Sequence, residues 1–417
     1  MSRLISFFPL ILVLASGYAQ EKVPALELAD CRWFDGSKFV TGTLYSVRGK
    51  FTFHRPARID SVLHLAGRYV IPPFAEAHNH NIDGFAKVDD RIRRYLADGV
   101  FYVKNPNSIP RYTATLAGKI NTPASVDVIF SNGGLTASGG HPMELVRRNT
   151  ALGIFTDRDG EGGMYYVVDN PDELRRKWNI ILDGRPDFIK TYLLYSEEFA
   201  ERRDDTAYFG WKGLDPALLP EIVRAAHRAK LRVSTHVETA ADFHNALIAR
   251  TDEINHLPGF RADSLTDFRR YELSEEDARS AAVRRVVIVT TLAGSEGSGS
   301  ERYRERLKVL QKRNLLLLRR YGAVIAIGSD EYRQTSAAEA AYLSGLGIFS
   351  PAELLGMWCR TTAEAIFPGR KIGRIREGYE ASFLVLEGDP LADFSFTHTI
   401  ILRCKEGRLM KGPEQMK

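Results

Sequence analysis

Hydrophobic and polar positions follow two different rhythms along this chain. From Ala25 to about Val70, short apolar stretches are separated by turn residues such as Asp35 and Gly36. Stretches of this kind, bounded by glycine and aspartate, are typical of antiparallel β-strands. Similar stretches return near the C-terminus, at 381–386 and 398–402. Both chain ends are therefore predicted to join in one small β-sandwich domain, formed by residues 20–72 and 368–417.

Between the two ends, apolar runs of strand length alternate with longer amphipathic stretches of helical period. These runs lie at 69–71, 100–103, 126–130, 188–192, 232–236, 253–256, 286–289 and 324–328. Repeated strand–helix units imply a parallel sheet. Eight units over this length favour a closed (β/α)8 TIM barrel, predicted over residues 73–367, so the fold class is α/β.

Polar side chains with metal-binding donors stand at the ends of these runs. In a (β/α)8 barrel the carboxyl ends of the strands meet at the active-site mouth. A histidine pair two residues apart in an extended segment can also direct both imidazoles to one ion. The predicted ligand set is His78, His80, Lys190, His236, His256 and Asp330.

Each of these residues also has an ordinary structural explanation. A His-x-His pair is common, a lone histidine at a strand end is usually hydrogen-bonded, and Lys190 could be ion-paired. Asp330 could cap the helix that follows it. The joint placement of six such groups at the same end of successive strands favours the metal site. His141, in a glycine-rich loop, and Tyr192, two residues past Lys190, are weaker candidates for contact with substrate.

Charge and composition exclude one class of partner. The 417 residues carry a formal net charge of +5, spread along the chain rather than gathered on one element with interleaved aromatic residues. Binding to nucleic acid is therefore not expected. Cys31, Cys359 and Cys404 lack the spacing of a thiolate metal site. The small domain would bring Cys31 and Cys404 into one sheet, where they form a disulfide or stay buried thiols.

The N-terminus has the pattern of a secretory signal peptide. Arg3 is followed by an apolar run over 4–15, and Gly17 and Ala19 occupy the −3 and −1 positions of a cleavage site. Cleavage of residues 1–19 predicts an exported protein, periplasmic or extracellular, without stable insertion in the membrane. The alternative is an uncleaved anchor, although the run is short for a membrane span and Pro9 interrupts it.

Several segments resemble the amidohydrolase superfamily over nearly the whole chain. "LAGRYVIPPFAEAHNHNIDG" is similar to that family's entry into its first barrel strand, and "FLVLEGDPLADF" to its closing small-domain motif. "GGLTASGGHPMEL" and "DFIKTYLLYSE" resemble loops of the prolidase-like and imidazolonepropionase-related branch. Pro73-Phe74, Asn79 and the Gly/Ser-rich stretch 292–302 depart from the usual pattern. None of these departures removes a ligand, but the last could reshape the substrate pocket.

The resemblance implies a two-metal site in which Lys190 is carbamylated and bridges the ions. Imidazole and carboxylate donors suit Zn²⁺, with Mn²⁺, Fe²⁺ or Co²⁺ as alternatives. A metal-activated hydroxide would then attack the carbonyl of a small amide, such as a dipeptide or an N-acyl amino acid. Asp330 would carry the proton to the leaving amine. His141 and Tyr192 would contact the carbonyl oxygen or a carboxylate.

Three alternatives stay open at this stage. The same site could hydrolyse a cyclic amide or a lactone. The barrel could bind a ligand or partner without catalysis, or a mononuclear enzyme could leave Lys190 unused. The expected partner is a small molecule, and a homo-oligomer is compatible with the sequence.

Overall fold

The computed structural model describes residues 22–85, 87–262, 268–297 and 299–412. The predicted signal peptide, residues 1–19, lies outside the described residues. The strands are β1 Leu26–Phe34, β2 Phe39–Val47, β3 Lys50–Thr52, β4 Ser61–Ile71, β5 Phe74–Glu76, β6 Val100–Asn105, β7 Asp127–Phe130, β8 Gly134–Thr136, β9 Tyr165–Val167, β10 Ile189–Tyr192, β11 Val233–His236, β12 Glu253–Asn255, β13 Val287–Val289, β14 Val324–Ala326, β15 Phe383–Leu386, β16 Ile400–Lys405 and β17 Arg408–Leu409. The helices are α1 Val88–Ala97, α2 Pro110–Thr113, α3 Met143–Ala151, α4 Pro171–Asp183, α5 Phe199–Arg202, α6 Leu219–Arg228, α7 Ala240–Ile248, α8 Glu275–Arg284, α9 Glu301–Tyr321, α10 Ser336–Leu346, α11 Pro351–Leu355 and α12 Thr362–Ile366.

Strands from both chain ends form one sheet, in the order β17-β16-β15-β4-β1-β2-β3. The described strands of both chain ends belong to one mostly antiparallel sheet, and its folding into a sandwich stays a prediction. The two long strands β1 and β4 stay paired in parallel across an irregularity, where Ala29 pairs with His64 and Cys31 with Arg68. Bulges of this kind bend strands without ending the ladder, so one sheet can enclose the small domain's core.

The three cysteines are buried free thiols. Cys31 on β1 and Cys404 on β16 do lie in the same sheet and the same hydrophobic cluster. Burial raises the pKa of the Cys31 thiol to about 12, which keeps it protonated. The interpretation of buried thiols is therefore the one that the structure supports.

Ten parallel strands form two further sheets, in the orders β5-β6-β7 and β14-β13-β12-β11-β10-β8-β9. Backbone hydrogen bonds pass between the sheets on both sides. Asp187 N lies 2.8 Å from Phe130 O, and Ala77 N lies 2.9 Å from Ile327 O. Helices α1, α4 and α6–α10 follow strands of these sheets, as in repeated strand–helix units. Closure into a single barrel, and the domain boundaries at 72/73 and 367/368, stay predictions.

The first strand of the parallel sheets begins after the apolar run at 69–71, which was predicted to form it. Residues 69–71 were expected to start the barrel, but they are the end of β4 and pair with β15. Pro72 and Pro73 follow, and proline cannot donate to a ladder. The chain therefore leaves the small sheet there and enters β5 at Phe74, whose ring stacks on Trp358 at 3.5 Å. No helix in the described ranges is long and apolar enough to cross a bilayer.

Candidate active site

Five of the six predicted ligands follow or end parallel strands at the same side of the sheets, and Lys190 lies within a strand. His78 and His80 come after β5, Lys190 lies in β10 and His236 ends β11. His256 follows β12, and Asp330 comes after β14. The carboxyl ends of parallel strands meet at one edge, which is why residues so distant in sequence converge.

The histidines and the aspartate lie within reach of common ions. Donor atoms of His78, His256 and Asp330 lie within 4.8 Å of one another. His80 Nε2 is 3.3 Å from Asp330 Oδ1, and the rings of His236 and His256 are 4.4 Å apart. Burial, together with the positive charge of Lys190, holds the pKa of His78 and His236 well below the ordinary value. These imidazoles are therefore neutral at physiological pH, which is the form that binds metal.

The backbone is strained at two of these positions. His256 has a φ of 73° and Asp330 a φ of 51°, in the left-handed region that non-glycine residues seldom adopt. Such strain clusters at functional sites, where the surrounding structure holds it in place. His256 Nδ1 lies 2.6 Å from Thr291 Oγ1, which leaves Nε2 as the nitrogen free for a ligand role.

Lys190 is buried beside this group. Its side chain is among the largest that are fully buried, and Nζ donates to Asn255 Oδ1 at 2.5 Å. Burial lowers the pKa of Lys190 to about 7, against the opposing charges of Asp330 and Glu253. A large fraction of this lysine is therefore a neutral amine near neutral pH.

Asp330 is poised as an anion. Burial alone would raise the pKa of its carboxyl, but the hydrogen bond and charge of His80, with the charge of Arg261, hold it below its usual value. The Asp330 side chain is 18% exposed, so it is accessible from the mouth. An ionised carboxylate at this place can bind a cation or accept a proton.

His141 and Tyr192 lie next to His236. The His141 ring is 5.1 Å from the Tyr192 ring and 5.3 Å from the His236 ring. His141 Nδ1 lies 2.6 Å from Glu144 Oε1, and Asn107 Nδ2 donates to the Tyr192 hydroxyl at 2.6 Å. The structure thus brings both weaker candidates to the site, and their roles stay predictions.

Four buried polar residues beneath the site were missed by the sequence reasoning. Lys104 on β6 donates to Glu253 at 2.6 Å, and Ser234 and Asn255 complete the group. Strand alternation was the available signal, because Glu253 and Asn255 share a face of β12, as Ser234 and His236 share a face of β11. Lys104 carried no such signal, because its partner is distant in sequence.

Two further histidines are engaged elsewhere. His227 Nε2 lies 2.9 Å from Asp252, and His244 Nδ1 lies 2.7 Å from Asp277. Both belong to helices, α6 and α7, and are partly exposed. They have no place in the site, as their helical positions in the sequence suggest.

The donor set fits divalent metal ions. It combines neutral imidazoles, one ionised carboxylate and a lysine that can be neutral, all converging at one edge of the sheets. His78 Nδ1 is buried and makes no hydrogen bond to another described residue, and such an atom costs stability unless it serves a ligand. Nitrogen and oxygen donors of this kind suit Zn²⁺ and its neighbours in the first transition row.

A comparison with known proteins finds a relative of low sequence identity. No family model matches the chain. Ochratoxinase of Aspergillus niger is 26% identical over 319 residues, which span 72% of this chain and 64% of that protein. The matched region is thus less than two thirds of the relative's length.

Solved structures match over nearly the whole chain. A crystal structure of an amidohydrolase has a TM-score of 0.71 at 20% identity, covering 93% of this chain and 98% of its own. The A. niger ochratoxinase structure has a TM-score of 0.73 at 19% identity, covering 94% and 97%. A Xaa-Pro dipeptidase with bound methionine has a TM-score of 0.70 at 16% identity, covering 93% and 100%. These neighbours are amidohydrolase-superfamily members, so the resemblance predicted from the sequence is confirmed and the chain has the fold of that superfamily.

Proposed function

We propose that this protein is an exported, metal-dependent hydrolase that cleaves the C–N bond of a small amide, such as a dipeptide or an N-acyl amino acid. The observation that carries the proposal is the convergence of four histidines, Lys190 and Asp330 at one edge of parallel strands. A binding module would need neither a buried lysine nor an anionic aspartate at this place. The eight strand–helix units would close into one barrel around the site.

Two metal ions would be held by these residues, with zinc the best match to the donors. The set is His78, His80, a carbamate formed on Lys190, His236, His256 and Asp330. When bound, the ions would lower the pKa of water toward 7 and polarise the scissile carbonyl.

The chain's own groups would supply the remaining steps. Asp330 would accept the proton of the attacking water and deliver it to the leaving amine, because it is anionic and accessible. His141 would donate a hydrogen bond from Nε2 to the carbonyl oxygen in its doubly protonated form, in which Glu144 accepts the hydrogen of Nδ1. Tyr192, whose hydroxyl accepts from Asn107, would steady the same oxygen.

The relatives support an amide substrate. One of the structural neighbours is a Xaa-Pro dipeptidase, whose name specifies a dipeptide substrate. The low identity to these proteins leaves the particular amide to experiment. Export rests on residues 1–19 alone, and N-terminal sequencing of the mature protein is expected to begin at Gln20.

A substrate panel tests the reaction class. Dipeptides, N-acyl amino acids, cyclic amides and lactones would be supplied at equal concentration to the zinc-reconstituted protein, and products quantified by mass spectrometry. We expect the linear amides to be turned over fastest and Asp330→Asn to abolish that turnover. Faster hydrolysis of lactones than of every amide would contradict the proposal. Turnover that survives Asp330→Asn would contradict the role proposed for Asp330.

A further inference from the structure

A polar layer crosses the interior of the parallel strands directly below the site. It consists of Lys104, Lys190, Ser234, Glu253 and Asn255, each almost completely buried. Barrel interiors are ordinarily filled with branched apolar side chains. Buried charges cost stability unless they are paired, so this layer calls for a functional explanation.

In this layer the carboxylate of Glu253 accepts a hydrogen bond from Lys104, whereas Lys190 donates to Asn255. Lys104 Nζ lies 2.6 Å from Glu253 Oε1, and Asn255 Nδ2 donates to the same oxygen at 2.7 Å. Asn255 Oδ1 then receives Lys190 Nζ at 2.5 Å, with Ser234 Oγ at 2.8 Å. The orientation of the Asn255 amide is unambiguous, because its nitrogen faces a carboxylate and its oxygen faces two donors.

Lys190 is thus held by a neutral acceptor at a fixed angle. Nζ has its carbon chain in one tetrahedral direction and the hydrogen bond to Asn255 in another, so its second hydrogen and its lone pair are confined to the remaining two directions. In the reaction with CO₂, the nitrogen lone pair attacks the carbon and a C–O electron pair moves to oxygen. One proton leaves to solvent, and the carbamate nitrogen keeps one hydrogen. That hydrogen is the one that Asn255 accepts before and after the reaction.

We propose that Asn255 is a positioning residue that orients Lys190 for carbamylation, with Lys104 and Glu253 fixing Asn255 in turn. This inference rests on the carbamate-bridged site of the proposed function. Asn255 does not touch substrate in this account, and it acts only through Lys190.

The test measures carbamate directly. Protein is equilibrated with ¹³C-bicarbonate at several concentrations in the presence of Zn²⁺, and the carbamate carbon is followed by NMR. For Asn255→Ala, we expect the bicarbonate concentration for half-maximal signal to rise about tenfold, the effect of losing one buried hydrogen bond. High bicarbonate should restore the signal in Asn255→Ala and never in Lys190→Ala. Asn255→Ser, too short to reach Nζ, replaces the alanine variant if that fails to fold.

Asn314→Ala is the matched control. Asn314 is fully buried and bonds three backbone groups away from the site, at Leu273, Pro258 and Tyr271. Asn314→Ala should lower the free energy of unfolding without changing how the carbamate signal depends on bicarbonate. If the carbamate signal of Asn255→Ala depends on bicarbonate as in wild type, the inference about Asn255 is overturned, while the carbamate-bridged site is not. Absence of any carbamate in wild-type protein would overturn both the inference and the carbamate-bridged site.

Discussion

At the residue scale, the ligands and the groups that hold them differ in how visible they are in the sequence. His78, His80, His236 and His256 are visible because each ends an apolar run, where the strand rule places it at the mouth. Lys104 and Glu253 are not visible in this way. Their pairing joins β6 to β12 across 149 positions, and no local pattern encodes such a contact.

His141 gives a prediction at this scale. Replacing His141 by the shorter Asn removes the Nε2 donor that acts when charge develops on the carbonyl oxygen, so kcat should fall about 10²-fold while metal content stays unchanged. Steady-state kinetics on the best amide substrate, with elemental analysis, checks this. The matched control is His244→Asn, which removes a histidine that pairs with an acid on a helix. An unchanged kcat in His141→Asn would exclude His141 from the reaction.

At the element scale, strand and helix types follow from periodicity, but the ends and partners of strands do not. Residues 69–71 have the pattern of a buried strand, and they are one, yet they belong to the small sheet. The boundary between the small sheet and the parallel strands is marked by Pro72 and Pro73, which cannot donate to a ladder, and not by the apolar pattern. The order of the strands in the small sheet was likewise not predictable, because alternation shows which face of a strand is buried and not which strands pair with it.

The loop after β13 gives a prediction at the element scale. Glu339 on α10 accepts from Leu292 N at 2.7 Å and Ala293 N at 2.6 Å, and burial raises its pKa from 4.5 to about 7. Between these pH values the unfolded chain loses the proton and the folded chain keeps it, so stability falls as pH rises. In Glu339→Gln, the free energy of unfolding should fall by about 3 kcal/mol less over this pH range than in wild type.

Urea unfolding of both proteins at pH 4.5 and pH 7.5 measures the effect. Taking the difference between variant and wild type cancels the contribution of the acids that do not interact with Glu339. The exposed residue Glu387 supplies the control Glu387→Gln, which should follow wild type at both pH values. Parallel pH dependence in Glu339→Gln and wild type would refute the assignment.

At the scale of the whole molecule, a buried cation joins the C-terminal strand to the parallel strands. Lys405 on β16 has no exposed side-chain surface, and Nζ donates to Thr122 O, Ser125 O and Asp127 Oδ1 at 2.6–2.7 Å. A buried, charged hydrogen-bonding group thus connects the small sheet to the start of β7.

Removing that group should destabilise the protein as a whole. Lys405→Met leaves Asp127 Oδ1 and two backbone carbonyls without this donor, while Arg370 still pairs with Asp127 Oδ2. Three buried acceptors at about 1–3 kcal/mol each should lower the free energy of unfolding by roughly 3–5 kcal/mol. Guanidinium unfolding followed by circular dichroism measures it, with the exposed Lys411→Met as control. A loss below about 1 kcal/mol would mean that solvent replaces that group.

The central claim is a carbamate-bridged metal pair, and metal content tests it most directly. Elemental analysis would compare the purified mature protein with Lys190→Ala after reconstitution with Zn²⁺ and bicarbonate. The account predicts about two metal ions per wild-type chain and fewer in the variant. About one ion in both proteins would favour a mononuclear enzyme that leaves Lys190 unused. Absence of bound metal in reconstituted wild-type protein would contradict the account altogether.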